Sequence, residues 1–178
     1  MIKKAVTIPP GSDGLFFSPH LGGRICPSSA DMRGAWLGFS WGHTQAHFFR
    51  AILESIAFEY AYYLKILQEL LPDLRLVEAR AVGGGARSAD WNQIKANVLN
   101  VPYQRLSRNE FGTWGAAMIA GKAAGLINDL AEYSDRTALT RGKPISPEPE
   151  INRIYQPLIN KYIDMENQLD LCYRQMAG

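Results

Sequence analysis

AVGGGARSADW, residues 81–91, places three consecutive glycines, Gly83, Gly84 and Gly85, between an apolar run and a helix start. Glycine costs backbone entropy on folding, so three together imply a demand of geometry. Just before them LRLVEARAV (74–82) alternates. Leu76, Glu78 and Arg80 fall on one face and Val77, Ala79 and Ala81 on the other, which predicts a strand. Just after them Ser88 reads as the N-cap of a helix over ADWNQIKANVLN (89–100), with Ile94, Val98 and Leu99 facing inward. The glycines therefore sit on a strand-to-helix turn. Backbone N–H groups at such a helix start point outward, and missing side chains let a ligand come close. The turn suits a nucleotide or phosphate, with a purely structural turn as the other reading. It is not a P-loop, because no Lys-Ser/Thr follows, and it is not GxGxxG.

Working outward, VPYQRL (101–106) predicts a second strand and Phe111–Gly112 a turn, and TWGAAMIAGKAAG (113–125) predicts a small-residue helix. A polar, proline-rich loop (136–149) leads to a final amphipathic helix beginning at Ile151. There Ile154, Leu158, Tyr162, Met165, Leu169 and Tyr173 keep the helical period, and Pro157 predicts a kink or a late start. Upstream, residues 44–71 contain neither Gly nor Pro, with Thr44 as N-cap and Pro72 as terminator. Apolar residues on more than one side of this helix predict burial between layers. The first 43 residues are irregular, with short apolar segments at Leu15–Phe17 and in AWLGFSWGH (35–43). Strand–helix–strand–helix order implies an α/β layered fold with right-handed crossovers.

Bulk properties narrow the function classes. At 178 residues the chain is the size of one domain, and 47% apolar with 20% charged residues is ordinary for a globular protein. A net charge of +2 favours neither a nucleic-acid partner nor a membrane surface. MIKKAVTIPPGSDG lacks the apolar core of a signal peptide, and no apolar stretch approaches the ~20 residues of a membrane span. Cys26 and Cys172 read as reduced thiols, so a soluble, cytoplasmic chain is expected. His43 and His47 share a helix face as metal ligands do, but no intervening Glu and no third ligand accompany them. They are expected near the cap and in packing. Cys26 with His20 suggests a thiol nucleophile only weakly, since no oxyanion turn or third member can be named.

One family matches the chain in order. ADMRGAWLGFSWGHTQAHFFRAILESIAFEY (30–60), AVGGGARSADWNQIKANVLNVP (81–102), EFGTWGAAMIAGKAAG (110–125) and IYQPLINKYIDM (154–165) together resemble the C-terminal domain of the FGGY carbohydrate kinases, nearest the xylulokinase-like members. The resemblance runs from PPGSDGLFFSPHLGG (9–23) to the last helix. It implies an actin-like, ribonuclease-H-like α/β fold in which two domains face each other across a cleft. The C-terminal one holds mainly ATP and the N-terminal one mainly the sugar. Residues 1–178 would then be a single nucleotide-binding domain without its sugar-binding partner. By resemblance, Gly84, Gly85 and Ala86 receive the adenosine part of the nucleotide, with Ser88 and Ala89 at the following helix start. Relatives often carry Asn at the place of Ala89. Gly115, Ala116 and Ala117 resemble a Gly-Ala-Ala whose small side chains let that helix pack closely behind the nucleotide turn. Glu110 is expected to be a solvated loop residue.

The pattern also departs from the family. Gly23-Arg24-Ile25-Cys26-Pro27 stands where relatives read Gly-Glu-Arg-Thr-Pro, and Arg24 is expected either to replace the family Arg with a shift of one residue or to be solvated. The family's Asp-x-Gly-Thr phosphate motif, its catalytic Asp and its phosphate-gripping hairpin are missing. Asp13, Asp31, Asp90 and Glu110 are better explained as caps or loop residues. Phosphoryl transfer needs a placed γ-phosphate, Mg²⁺ and a base near the acceptor hydroxyl. The full-length parent is expected to use ATP and Mg²⁺ to phosphorylate a pentulose or related polyol, and this chain alone to be inactive. The rival reading is a non-catalytic nucleotide-binding or interaction module. Homodimerisation, common among relatives, is a further expectation.

Overall fold

Thr44 starts the longest helix of the N-terminal half. In the computed structural model, which describes residues 1–107, 110–138, 140 and 142–177, helix α2 spans Gln45–Leu70. A capping box joins Thr44 to His47: the Thr44 backbone N–H donates to His47 Nδ1 at 3.1 Å. Ahead of it lie a short helix α1 (Ile2–Ala5) and strand β1 (Phe16–Ser18), which pairs antiparallel with β2 (Ala35–Leu37). Behind it come β3 (Ala79–Ala81), α3 (Ala89–Leu99) and β4 (Tyr103–Arg105), then α4 (Phe111–Ala123), α5 (Leu130–Thr137) and α6 (Pro149–Ala177).

Strands β3 and β4 pair in parallel across α3, as a strand–helix–strand unit requires. The outer edge of β4 is covered, because Tyr103 and Ile145 exchange both backbone hydrogen bonds at 2.9 Å. Among the described residues β3 has no neighbour on its other side. The strand is accordingly shorter than the alternation of residues 74–82 predicts: only Ala79–Ala81 pair, and Val77 stays 78% exposed. Alternating side chains favour an extended backbone, but a ladder forms only where a partner strand lies alongside.

The core lies where α2, α3 and α6 meet. Phe16, Leu53, Phe58, Tyr62, Ile94, Val98, Tyr155, Ile159 and Tyr162 form one buried cluster with α1 packed against it. A smaller cluster of Ala96, Val101 and Tyr103 lies beneath β3 and β4. In α6 the buried face carries Tyr155, Ile159, Tyr162, Ile163 and Glu166, whereas Ile154 is exposed. Of the apolar period drawn through Ile154, Tyr162 is buried and Leu158 and Met165 pack against the core, so the period holds along one edge of the buried face and Ile154 falls outside it. The deciding residues are polar: Tyr155 OH donates to Glu54 Oε1 at 2.8 Å, and Glu54 also accepts from Arg50 Nε at 2.7 Å and from Ser12 Oγ at 2.9 Å. Pro157 lies inside α6 rather than at a late start.

Three other expectations change. Phe111 and Gly112 belong to the first turn of α4 rather than to a turn before it. No residue of α4 is buried, and a Cβ placed on Gly115 would meet nothing within 4 Å. The small face of α4 therefore does not pack behind the glycine turn among the described residues. Arg24 is buried rather than solvated: its Nε donates to Pro27 O at 3.0 Å and its Nη2 faces Asp170 at 3.4 Å. A guanidinium finds five donor positions useful even in a tight loop, which composition alone does not reveal. Glu110 is exposed as expected.

Candidate functional site

The three glycines differ in what the fold asks of them. Gly83 has φ 79° and ψ −170°, which side-chain-bearing residues avoid. A Cβ on Gly85 would stand 2.7 Å from Trp91 Cζ3, so that glycine makes room for the indole. Gly84 has neither constraint, and a Cβ there would meet nothing within 4 Å. Its backbone is bare on a side that the described residues leave open. Gly84–Arg87 form a single 3₁₀ turn, and α3 begins at Ala89. Ser88 caps it, its Oγ accepting from Trp91 N–H at 3.2 Å. Ala86 is 5% exposed, and its carbonyl accepts from Asn92 Nδ2 at 2.9 Å, tying the turn to the helix it precedes.

Beside the turn is a cavity of about 440 Å³, lined by Gly85 and Ala86 together with Tyr60, Trp91, Lys95 and Tyr103. The structure thus brings Gly85 and Ala86 to a hollow and places Gly84, Ser88 and Ala89 next to it in the chain. Sequence reasoning missed Lys95, whose signal was its i, i+4 spacing from Trp91. Lys95 is 6% exposed, and its ammonium stands 3.8 Å from the Trp91 ring centroid and 6.0 Å from that of Tyr103. Burial lowers its pKa to about 8. Burial also raises the Tyr103 phenol to about 12. The hollow thus offers the aromatic faces of Trp91 and Tyr103 and the cation of Lys95.

No carboxylate lines this cavity among the described residues. Mg²⁺ takes oxygen ligands, and the residues here do not fit it. The other sequence candidates resolve as packing. His43 Nδ1 accepts from Ser40 N–H at 3.0 Å, and His47 Nε2 faces Asp13 Oδ2 at 3.0 Å, so this pair serves the cap of α2. Cys26 is exposed while His20 is buried against Glu59 and Glu166, which gives no thiol–imidazole couple. Asp90 pairs with Lys3 at 2.9 Å.

A strand, a glycine turn opening a capped helix, and a hollow beside it define the class: an α/β domain with an open turn at a helix start. The family follows from comparison. Residues 2–124 match the FGGY family of carbohydrate kinases, C-terminal domain. Xylulose kinase from Staphylococcus epidermidis is 35% identical over 153 residues, which covers 85% of this chain and 30% of that protein. Ligand-bound xylulose kinase from Lactobacillus acidophilus superposes with a TM-score of 0.83 at 31% identity, over 98% of this chain and 35% of that one. Gluconate kinase from the same organism superposes with a TM-score of 0.82, also at 31% identity, covering 98% and 35%. The chain belongs to the FGGY carbohydrate kinase family as a C-terminal domain with the actin-like fold, and it spans about a third of the length of the relatives it matches.

Proposed function

We propose that this chain is the ATP-binding domain of a cytoplasmic sugar kinase whose full-length form transfers the γ-phosphoryl of ATP to a sugar hydroxyl. The observation that carries the reading is the bare backbone of Gly84 beside the hollow at Gly85 and Ala86. Gly84, Gly85 and Ala86 receive the adenosine, whose flat base slides against small residues. Ser88 and Ala89 border it at the start of α3. The outward N–H groups of the helix start favour the anionic end of the nucleotide. Mg²⁺ accompanies ATP in the full-length form, and none of the residues lining this hollow holds it. Pentulose is the favoured sugar class, since xylulose kinases are among the similar proteins; gluconate kinases match equally well, so the choice of sugar rests with residues outside this chain.

Calorimetric titration of the chain with ADP, beside an Ala86→Leu variant, tests the reading. Saturable binding that the variant loses by tenfold or more, with its melting curve intact, is the expected result. Equal binding by both, or none by the parent chain carrying its upstream segment, refutes it and favours a non-catalytic module.

A further inference from the structure

Away from the glycine turn, three ionisable side chains from three parts of the chain meet in the core. His20, in the loop after β1, is 7% exposed; Glu59 of α2 is 3% and Glu166 of α6 is 1% exposed. His20 Nε2 stands 3.3 Å from Glu59 Oε1 and 3.4 Å from Glu166 Oε2, and the three atoms lie within 4.8 Å of one another. Yet neither Nε2 nor Glu59 Oε2 has an aligned hydrogen-bond partner, although both are buried. One N–H cannot aim at two carboxylates on either side of it, and the imidazole takes the midway position that satisfies neither.

We infer that His20, Glu59 and Glu166 bind one divalent transition-metal ion of the Zn²⁺ type, which fastens the loop after β1 to helices α2 and α6. Bonds of about 2.0–2.1 Å to nitrogen and oxygen in a tetrahedron place neighbouring ligand atoms roughly 3.3 Å apart. The two measured separations from His20 have that length. Charge agrees, because two buried carboxylates beside a single imidazole leave a net negative charge that a divalent ion offsets. The carboxylates are also held from behind as metal ligands commonly are: Tyr162 OH donates to Glu59 Oε1 at 2.9 Å and Ser18 Oγ to Glu166 Oε2 at 3.1 Å. One nitrogen and carboxylate oxygens, without thiolate, suit Zn²⁺ or Mn²⁺ rather than Cu(I) or an iron–sulfur cluster. The site shares no residue with the hollow beside the glycine turn, and it anchors the same loop in which Arg24 departs from the family pattern.

The test uses the chain with Cys26→Ser and Cys172→Ser, because exposed thiols bind zinc adventitiously. Chelator-stripped protein is titrated with Zn²⁺ alone by calorimetry, with elemental analysis after gel filtration and Mg²⁺ in parallel. One equivalent of Zn²⁺ with a Kd of 1 µM or below is expected, unchanged in His43→Ala and at least tenfold weaker in His20→Gln. At ~100 times Kd the melting temperature should rise by roughly 5–10 °C. Absence of stoichiometric Zn²⁺ uptake by the His20-containing chain at 100 µM overturns the site and leaves a protonated imidazole between two carboxylates. That measurement needs no variant to fold. Uptake that survives in His20→Gln overturns it equally.

Discussion

Gly83 shows how a single residue can be required without touching anything. Its φ of 79° and ψ of −170° exclude a side chain even though the space beside it is empty. Gly83→Ala should therefore cost about 1–3 kcal/mol in urea unfolding. Gly84→Ala should stay within about 0.5 kcal/mol of the parent and weaken ADP binding instead. Equal destabilisation by both would remove the distinction between a glycine the fold needs and one the ligand needs. Lys95 presents the opposite case, a residue the fold bears at a cost. Its pKa, lowered by burial to about 8 from an unfolded value near 10.5, means that below pH 8 the folded state carries the full penalty of a buried ammonium. As pH rises from about 8 toward 10 the unfolded chain holds more protons than the folded one, so stability should rise. The difference between the parent and Lys95→Met cancels other groups titrating in that interval. It should favour Lys95→Met by about 1–2 kcal/mol at pH 7, discounted for the water that still reaches the ammonium, and shrink by pH 9.5. A difference that stays flat across this interval would mean that Lys95 is not strained by burial.

At the scale of elements, the long helices are held by polar cross-links as much as by apolar faces. Glu54 of α2 accepts from Gly11 N–H at 3.1 Å, from Ser12 Oγ, from Arg50 and from Tyr155, so one carboxylate joins the N-terminal loop, α2 and α6. Glu54→Ala leaves Arg50 buried without its counter-charge and should cost about 3–5 kcal/mol, read as a fall in the urea midpoint. A loss below 1 kcal/mol would show that water enters and replaces the link. These cross-links are also where reading by pattern stopped. The span of α2, its Thr44 cap and the Ser88 cap of α3 follow from local signals, and the structure has them at the expected residues. The full buried faces of α2 and α6 do not follow, because Arg50, Glu54 and Glu166 are counted as surface residues by an apolar period. The strand-to-helix turn was legible from its glycines and Ala86 was pointed to by the family resemblance, whereas Tyr60, Lys95 and Tyr103 were not legible, since three separate elements bring them to one hollow.

For the whole molecule, the chain spans about a third of the length of the kinases it matches, so activity is expected to need the rest of that length. Mixed with ATP, Mg²⁺ and xylulose or gluconate, the chain alone should form no sugar phosphate above background, and a chain extended to the full length of its relatives should restore it. Turnover by the 178-residue chain itself would mean that a base lies within it. Among the described residues no helix is long and apolar enough to cross a membrane. The sequence by itself determined helices α2, α3 and α6, the Thr44 and Ser88 caps, the glycine turn and the family, because each is written in residues near one another along the chain, where propensity, period and backbone constraint act locally. Only the tertiary structure decided which faces are buried, how far β3 extends and where charges meet. Those depend on partners as distant as Tyr155 from Glu54, 101 positions away, or Glu166 from Ser18, 148 away. Desolvation makes such pairs strong once they have met, and no local period records that they will meet.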